Sequence, residues 1–101
     1  MRKILMILAL LAITALPAMA AVGGGEVTLQ NKGGTVVFSH EFHVAGLEQA
    51  CQACHPKLFT TSKQHKAVTM KAMQSGASCG ACHNGAKAFS VKGNCAKCHT
   101  K

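Results

Sequence analysis

The sequence predicts a small, irregular domain of mainly short α-helices and coil, with one N-terminal two-stranded β-hairpin. Large apolar residues are scarce, since Val, Leu and Phe number 14 among the 81 residues from position 21 onward. This share of large apolar residues is below ~20%, the level under which a chain with substantial net charge usually fails to fold. Glycines recur so closely after residue 45 that long helices do not fit, and two β-prone runs precede the first cysteine.

The length and composition also indicate what the interior lacks. A chain of 101 residues permits one domain. With so few large apolar side chains, burial alone cannot offset the conformational entropy that folding removes. Something other than the protein's own side chains must therefore fill its interior.

The first twenty residues have the pattern of an export signal. Arg2 and Lys3 precede an apolar run of 13 residues over 4–16, and Pro17 precedes the small-residue sequence Ala-Met-Ala that ends at Ala20. This order is typical of a secretory signal peptide, and the run is shorter than the ~20 residues of a membrane span. We expect cleavage after Ala20 and export to a bacterial periplasm, with no integral membrane segment remaining.

Two elements are predicted in the rest of the chain. The runs at residues 26–29 and 35–38 flank turn-forming residues and predict the hairpin. Ala, Met and Met recur at helical spacing within residues 61–74 and predict a longer helix there. The expected domains are the signal peptide over 1–20, a flexible lead and hairpin over 21–35, and the main domain over 36–101.

The pattern C-x-x-C-H occurs three times, at residues 51–55, 79–83 and 95–99. It is the pattern for covalent attachment of a c-type haem. Two thiols three positions apart can add to the two vinyl groups on one porphyrin edge, and the adjacent histidine gives the iron its proximal nitrogen. We predict three covalently attached haem c groups, so the main domain is a triheme c-type cytochrome domain. The attachment pairs are Cys51 and Cys54, Cys79 and Cys82, and Cys95 and Cys98, with His55, His83 and His99 as proximal ligands.

Other uses of six cysteines explain less of the pattern. Three disulfides would suit a small exported chain, but they have no use for a histidine after every pair. A zinc site can use two C-x-x-C pairs, and iron–sulfur ligation uses cysteine without a fixed histidine. A thioredoxin-like site needs a βαβ pattern, which is absent.

The number of histidines equals the number of axial positions on three haem irons. Six histidines are present and three are proximal, so His40, His43 and His65 are the candidate distal ligands. His40 and His43 lie at i and i+3 on one side of a helical turn. They are too close together to straddle one ring plane, so we expect them to serve two different haems. Met70 or Met73 in place of His65 stays open, and methionine would raise the potential of that iron.

Over residues 36–101 the sequence resembles the triheme cytochrome c7 family of class III multihaem c-type cytochromes. The resemblance lies in the run Val-Phe-Ser-His-Glu-Phe-His at residues 37–43 and in the order of the three motifs after it. In that family a two-stranded hairpin precedes paired distal histidines, and the chain wraps around three haems. Residues 58–89 look closer to c7-type triheme modules found in tandem in larger multihaem proteins.

The resemblance implies which distal histidine serves which haem. His40 would serve the haem on the first motif, and His43 the haem on the second. The family usually places its third distal histidine a few residues before the second motif, where this chain has Ser75. His65 would therefore take that role from a different position, for the haem on the third motif.

Bis-histidine ligation leaves no iron open to substrate, so outer-sphere electron transfer at low potential is the expected function. The resemblance implies a carrier of anaerobic respiration, often toward metal reduction. Its partners would be inner-membrane quinol-oxidising cytochromes and outer-membrane multihaem cytochromes. A reductase is the competing class, and a haem-bearing subunit or module of a larger multihaem assembly is a third.

Lysine is the only cation from residue 21 onward, nine residues against three glutamates. Export and the absence of arginine and interleaved aromatic residues there argue against nucleic-acid binding. We expect a monomer whose lysines pair with haem propionates or dock acidic redox partners. These lysines are Lys57, Lys63, Lys66, Lys71, Lys87, Lys92 and Lys97.

Overall fold

The N-terminal part of the described chain forms a small antiparallel sheet. The computed structural model describes residues 17–101, so the predicted signal peptide lies largely outside the described residues. Strand β1, Glu26–Leu29, pairs with strand β2, Thr35–Ser39. Residues along β1 alternate between exposed and half-buried, as a strand covered on one face does. The predicted hairpin is therefore confirmed.

A third strand, which the sequence analysis missed, extends this sheet. Strand β3, His99–Thr100, pairs with β2 so that Val36 lies opposite His99. Gly34 lies at this junction with φ of +121°, and a Cβ there would come 2.5 Å from the Thr100 carbonyl oxygen. Only glycine fits such a backbone and such a close approach. The pairing joins the last C-x-x-C-H motif to the hairpin.

The helical segments of residues 17–101 are all short, as the fold class predicts. They are 3-10 turns at Val22–Gly24, Cys51–Ala53 and Ser78–Ala81, a π-helical turn at Glu41–Gly46, and two α-helices, α1 at Met70–Gln74 and α2 at Cys95–Cys98. In this part of the chain, no helix reaches the length and apolar content that crossing a membrane requires.

The helix predicted over residues 61–74 is wrong for its first two thirds, because only α1 is helical there. The Thr69 side chain accepts a hydrogen bond from the backbone N–H of Ala72 at 3.2 Å, which caps the helix at its start. Residues 60–69 are all exposed. No buried face is therefore present to stabilise a longer helix.

The described chain has almost no hydrophobic core of its own. Val91, at 9% exposure, is the one buried hydrophobic residue within residues 17–101. Large apolar side chains lie at the surface instead, with Phe42 at 60% and Leu47 at 49% exposure. This agrees with the sequence-based inference that the chain's own side chains do not fill its interior.

The tightest backbone contact at a glycine predicts a difference between two variants. A Cβ at buried Gly80 would overlap the Met73 carbonyl, whereas Gly76, at φ of +101°, has nothing within 4 Å of such a Cβ. We expect Gly80→Ala to lower the free energy of unfolding by about 3 kcal/mol through overpacking. Gly76→Ala should cost about 1 kcal/mol through backbone strain alone.

Guanidinium unfolding of the haem-loaded variants, followed by circular dichroism, measures both values. Equal losses would contradict the packing of Gly80 on α1.

Candidate haem-binding site

The three C-x-x-C-H motifs share one local hydrogen bond. In each, the backbone N–H of the histidine donates to the carbonyl of the first cysteine four residues earlier. For His55 and His83 the N···O distance is 2.9 Å, and His99 makes the same bond at the end of α2. One tight turn thus brings two thiols and an imidazole together in each motif.

The six cysteine thiols are unpaired in the structure, and thiols of different motifs lie close to one another. Burial raises the pKa of the Cys54 thiol, and nearby Cys82, Cys79 and Cys51 raise it further. Burial likewise raises the pKa of the Cys98 thiol, with Cys79 and Cys95 adding to the shift. Thiols of the second motif thus raise the pKa of one thiol in the first motif and of one thiol in the third.

Five of the six histidines are held through Nδ1 by a backbone carbonyl oxygen. The Nδ1···O distance is 2.7 Å from His40 to Gly25, 2.9 Å from His43 to Ser39, 2.8 Å from His55 to Phe59, and 3.1 Å both from His83 to Phe89 and from His99 to Gly34. A carbonyl only accepts, so Nδ1 carries the proton and donates. The lone pair is then on Nε2, the arrangement that metal-ligating histidines adopt.

Two pairs of these histidines face each other at a ligating distance. The ring centres of His40 and His55 are 6.5 Å apart, and those of His43 and His83 are 6.4 Å apart. Two imidazoles that bind opposite sides of one metal ion, with metal–nitrogen bonds of about 2.0 Å, have ring centres roughly 6.2 Å apart. The observed separations fit a haem iron between the members of each pair.

One aromatic side chain contacts both distal candidates. The Phe38 ring stacks on His43 with centroids 4.4 Å apart, and it meets His40 edge-on at 5.0 Å. Phe38 is half-buried in β2, two residues before His40. The Phe38 ring therefore packs against both distal candidates at once.

The third proximal histidine has no such partner. Among the ring pairs of residues 17–101, none joins His99 or His65 to a second histidine. His65 is exposed and lines a cleft of about 610 Å³ with Phe59 and Val68. The structure thus brings together four of the six predicted ligands and leaves His65 apart from His99. Met73, in α1, is half-buried.

A second cleft, of about 670 Å³, joins the first two motifs. Its lining includes Cys54, Cys82, His43 and His83, together with apolar side chains such as Phe42. Ligand sites in proteins are clefts of this size with apolar walls and a few polar groups. Its thiols and imidazoles are the donors that covalent haem attachment needs.

Several residues that shape the site carry no signal in the sequence pattern. The acceptors for the five imidazoles are backbone carbonyls, and a carbonyl is the same in every residue type. Phe38 can be recognised from the sequence, because it lies two residues before His40 in the run at residues 37–43. Its contact with both histidines depends on the strand and the following turn.

This set of donors defines a multihaem c-type cytochrome. The chain belongs to the cytochrome c7 family, because residues 36–100 match the family described as cytochrome c7 and related cytochrome c. The predicted family resemblance, fold class and three covalently attached haem c groups are confirmed by this match and by the solved structures.

Three solved structures are similar to the chain. A c7-type three-heme cytochrome domain is 46% identical with a TM-score of 0.67, over 74% of this chain and 91% of that one. The C-terminal hexaheme fragment of GSU1996 is 47% identical with a TM-score of 0.66, over 73% of this chain and 46% of that one. Dodecaheme cytochrome c GSU1996 is 35% identical with a TM-score of 0.71, over 87% of this chain and 26% of that one.

The chain therefore spans less than half of the hexaheme fragment and about a quarter of the dodecaheme protein. No match to a curated protein was found.

The aromatic contacts predict how two substitutions differ. Phe38→Ala removes contacts with both His40 and His43, each worth about 1 kcal/mol. We expect the NMR signals of both imidazoles to shift in the oxidised, haem-loaded protein. Phe42 is the matched control, because among the histidines its ring contacts only His43, with ring centroids 5.5 Å apart. Phe42→Ala should therefore shift the NMR signals of the His43 imidazole alone. A Phe38→Ala spectrum in which His40 does not move would contradict this role.

Proposed function

We propose that this chain is a periplasmic, low-potential electron-transfer protein of anaerobic respiration, with electrons passing toward metal reduction. The observation that carries the proposal is the separation of the ring centres, 6.5 Å from His40 to His55 and 6.4 Å from His43 to His83, with the Nδ1 of all four rings bonded to a backbone carbonyl. Both axial positions of two irons are then filled by protein. Neither of these two irons has a position left for a substrate to bind.

The attachment sites are the three cysteine pairs of the C-x-x-C-H motifs. The haem on Cys51 and Cys54 takes His55 as its proximal ligand. The haem on Cys79 and Cys82 takes His83, and the haem on Cys95 and Cys98 takes His99. The shared turn of the three motifs supports one attachment geometry for all.

The distal ligands follow from the two ring pairs. His40 serves the haem on the first motif and His43 the haem on the second, which the 6.5 and 6.4 Å centroid distances support. His65 is the sixth ligand by count, for the haem on the third motif. Met70 and Met73, in α1, are the substitutes that the chain offers.

The protein residues set the properties of these irons. Each haem, when bound, accepts and releases a single electron. The Nδ1–H bonds to backbone carbonyls raise the basicity of Nε2 and hold each ring in place. A basic, neutral imidazole on each side stabilises the oxidised iron, so the potential is low. We assign no dedicated catalytic site, and reduction of acceptors would occur at exposed haem edges.

Location and partners complete the proposal. Residues 1–20 are the cleaved signal peptide, residues 21–35 the lead and hairpin, and residues 36–101 the triheme domain. The exposed lysines dock acidic surfaces on redox proteins, such as inner-membrane quinol-oxidising and outer-membrane multihaem cytochromes. The carrier works as a monomer.

A second candidate function is that of a module in a larger multihaem assembly or reductase. Its support is the similarity to hexaheme and dodecaheme proteins, of which this chain matches only a part. Size-exclusion chromatography of the protein purified from its native host separates the two. A single small species supports the free carrier, and a large haem-bearing complex supports the module.

The composition and ligation of the purified protein test the leading proposal. We expect an intact mass with three haems added, low-spin spectra in both oxidation states, and a reduced spectrum that carbon monoxide leaves unchanged. Carbon monoxide needs an open axial position, and none is proposed. A carbon monoxide adduct in the wild-type protein would indicate an open haem and favour the reductase.

The sixth ligand has its own test. His65→Ala should convert one haem of three to a high-spin state that binds carbon monoxide, because the third iron loses its distal nitrogen. Met70→Ala and Met73→Ala are the controls and should leave all three haems low-spin. If His65→Ala stays low-spin while a methionine variant does not, the methionine is the ligand.

A further inference from the structure

The glycine-rich lead has a defined conformation next to the candidate haem ligands. Val22–Gly24 forms a 3-10 turn that contacts the π-helical turn Glu41–Gly46. Gly23, Gly24 and Gly25 have φ of +61°, +82° and +91°. This left-handed run is one that only glycine adopts without strain. The lead lies ahead of the residues that match the family, 36–100.

Two separate contacts join this lead to His40. The His40 Nδ1–H donates to the Gly25 carbonyl at 2.7 Å, the shortest of the five imidazole anchors. Gly23 lies against the same ring, since a Cβ there would be 2.6 Å from both Cδ2 and Cγ of His40 and 3.1 Å from its Nε2. A side chain at position 23 would therefore push against the carbon edge and the ligating nitrogen at once.

The neighbouring distal candidate is held in a different way. His43 donates to the Ser39 carbonyl four residues earlier, within its own turn. The acceptor for His40 is the Gly25 carbonyl, fifteen residues earlier, in a segment that belongs to no strand or long helix. The orientation of His40 thus depends on the lead, whereas that of His43 does not.

We propose that Gly23 and Gly25 position His40, and that they set the strength of distal ligation at the haem on the first motif and at no other. The proposal rests on the proposed function, in which His40 binds that iron. The Gly25 carbonyl makes Nε2 a stronger donor by accepting the Nδ1 proton. Because Gly23 has no side chain, the His40 ring keeps the orientation in which its Nε2 would bind the iron.

Two adjacent alanine substitutions isolate the contact from the backbone strain. Gly24 also has positive φ, yet a Cβ there meets nothing within 4 Å. Gly24→Ala therefore reproduces the strain of Gly23→Ala without the collision. Outer-shell changes of this kind weaken metal ligation about 10- to 100-fold.

We expect Gly23→Ala in the haem-loaded protein to weaken His40 binding to the iron in both oxidation states, and about tenfold more in the oxidised state than in the reduced one. Tenfold corresponds to a rise of about 59 mV in the potential of one haem of the three, for a one-electron couple. Spectroelectrochemistry with carbon monoxide difference spectra measures this, and the variant should also bind carbon monoxide at that haem. Gly24→Ala should leave all three potentials and the carbon monoxide spectrum at their wild-type values. Equal behaviour of the two variants overturns the proposal.

The His40→Ala variant distinguishes failure of the positioning role from failure of the assignment of His40 as a distal ligand. If His40→Ala opens one haem to carbon monoxide and Gly23→Ala matches Gly24→Ala, the ligand assignment stands and the positioning role fails. If His40→Ala leaves every haem closed, the ligand assignment itself fails, and the positioning role fails with it.

If the Gly23→Ala variant does not load haem, a measurement on the wild-type protein tests the proposal instead. The His40 Nδ1 proton should be observable by NMR and protected from solvent exchange, because the Gly25 carbonyl holds it. A His40 Nδ1 proton that exchanges as fast as one on a free imidazole overturns the proposal.

Discussion

The hydrogen bond from an imidazole Nδ1–H to a backbone carbonyl is the interaction on which the rest of this structure depends. It occurs at five histidines that lie on different turns and strands. Each bond fixes the tautomer, turns Nε2 away from the backbone and ties one loop to the next. A chain with Val91 as the one buried hydrophobic residue among residues 17–101 has few other ways to position its side chains.

The short elements of the fold follow from the same constraint. Each motif is a single turn that ends at its histidine, and each proximal ring is then anchored several residues downstream or on the sheet. The carbonyls of Phe59 and Phe89 accept from His55 and His83, and Gly34 accepts from His99. After His83 a sharp turn brings the Phe89 carbonyl back to the ring, and Asn84 and Gly85, the latter at φ of +89°, stand at this turn where a longer helix would otherwise continue.

Sequence reasoning reached the parts of this arrangement that side chains specify. The hairpin, the three cysteine pairs and the candidate proximal histidines depend on residue type and spacing. The pairing of β3 with β2 depends on where the last motif lies in space, and its two residues are too few to carry a strand pattern. The predicted helix over 61–74 was wrong because periodicity without a buried face does not stabilise helix, and residues 60–69 are exposed. Carbonyl acceptors such as that of Gly25 leave no trace in the sequence.

The charge distribution connects the haems to the surface of the protein. From residue 21 onward, nine lysines and three glutamates leave a net charge of +6, which the six propionates of three haems would offset. Lys97 lies 4.7 Å from the centre of the Phe89 ring, which in turn packs 4.4 Å from His83. A cation held there over an aromatic face lies beside a candidate proximal ligand, where it would disfavour the extra positive charge of an oxidised iron. Each electron gained lowers the net charge by one, so attraction to an acidic partner is greater before reduction than after it. The same lysines that balance the cofactors would therefore favour docking of the oxidised protein to an acidic donor and its release once reduced.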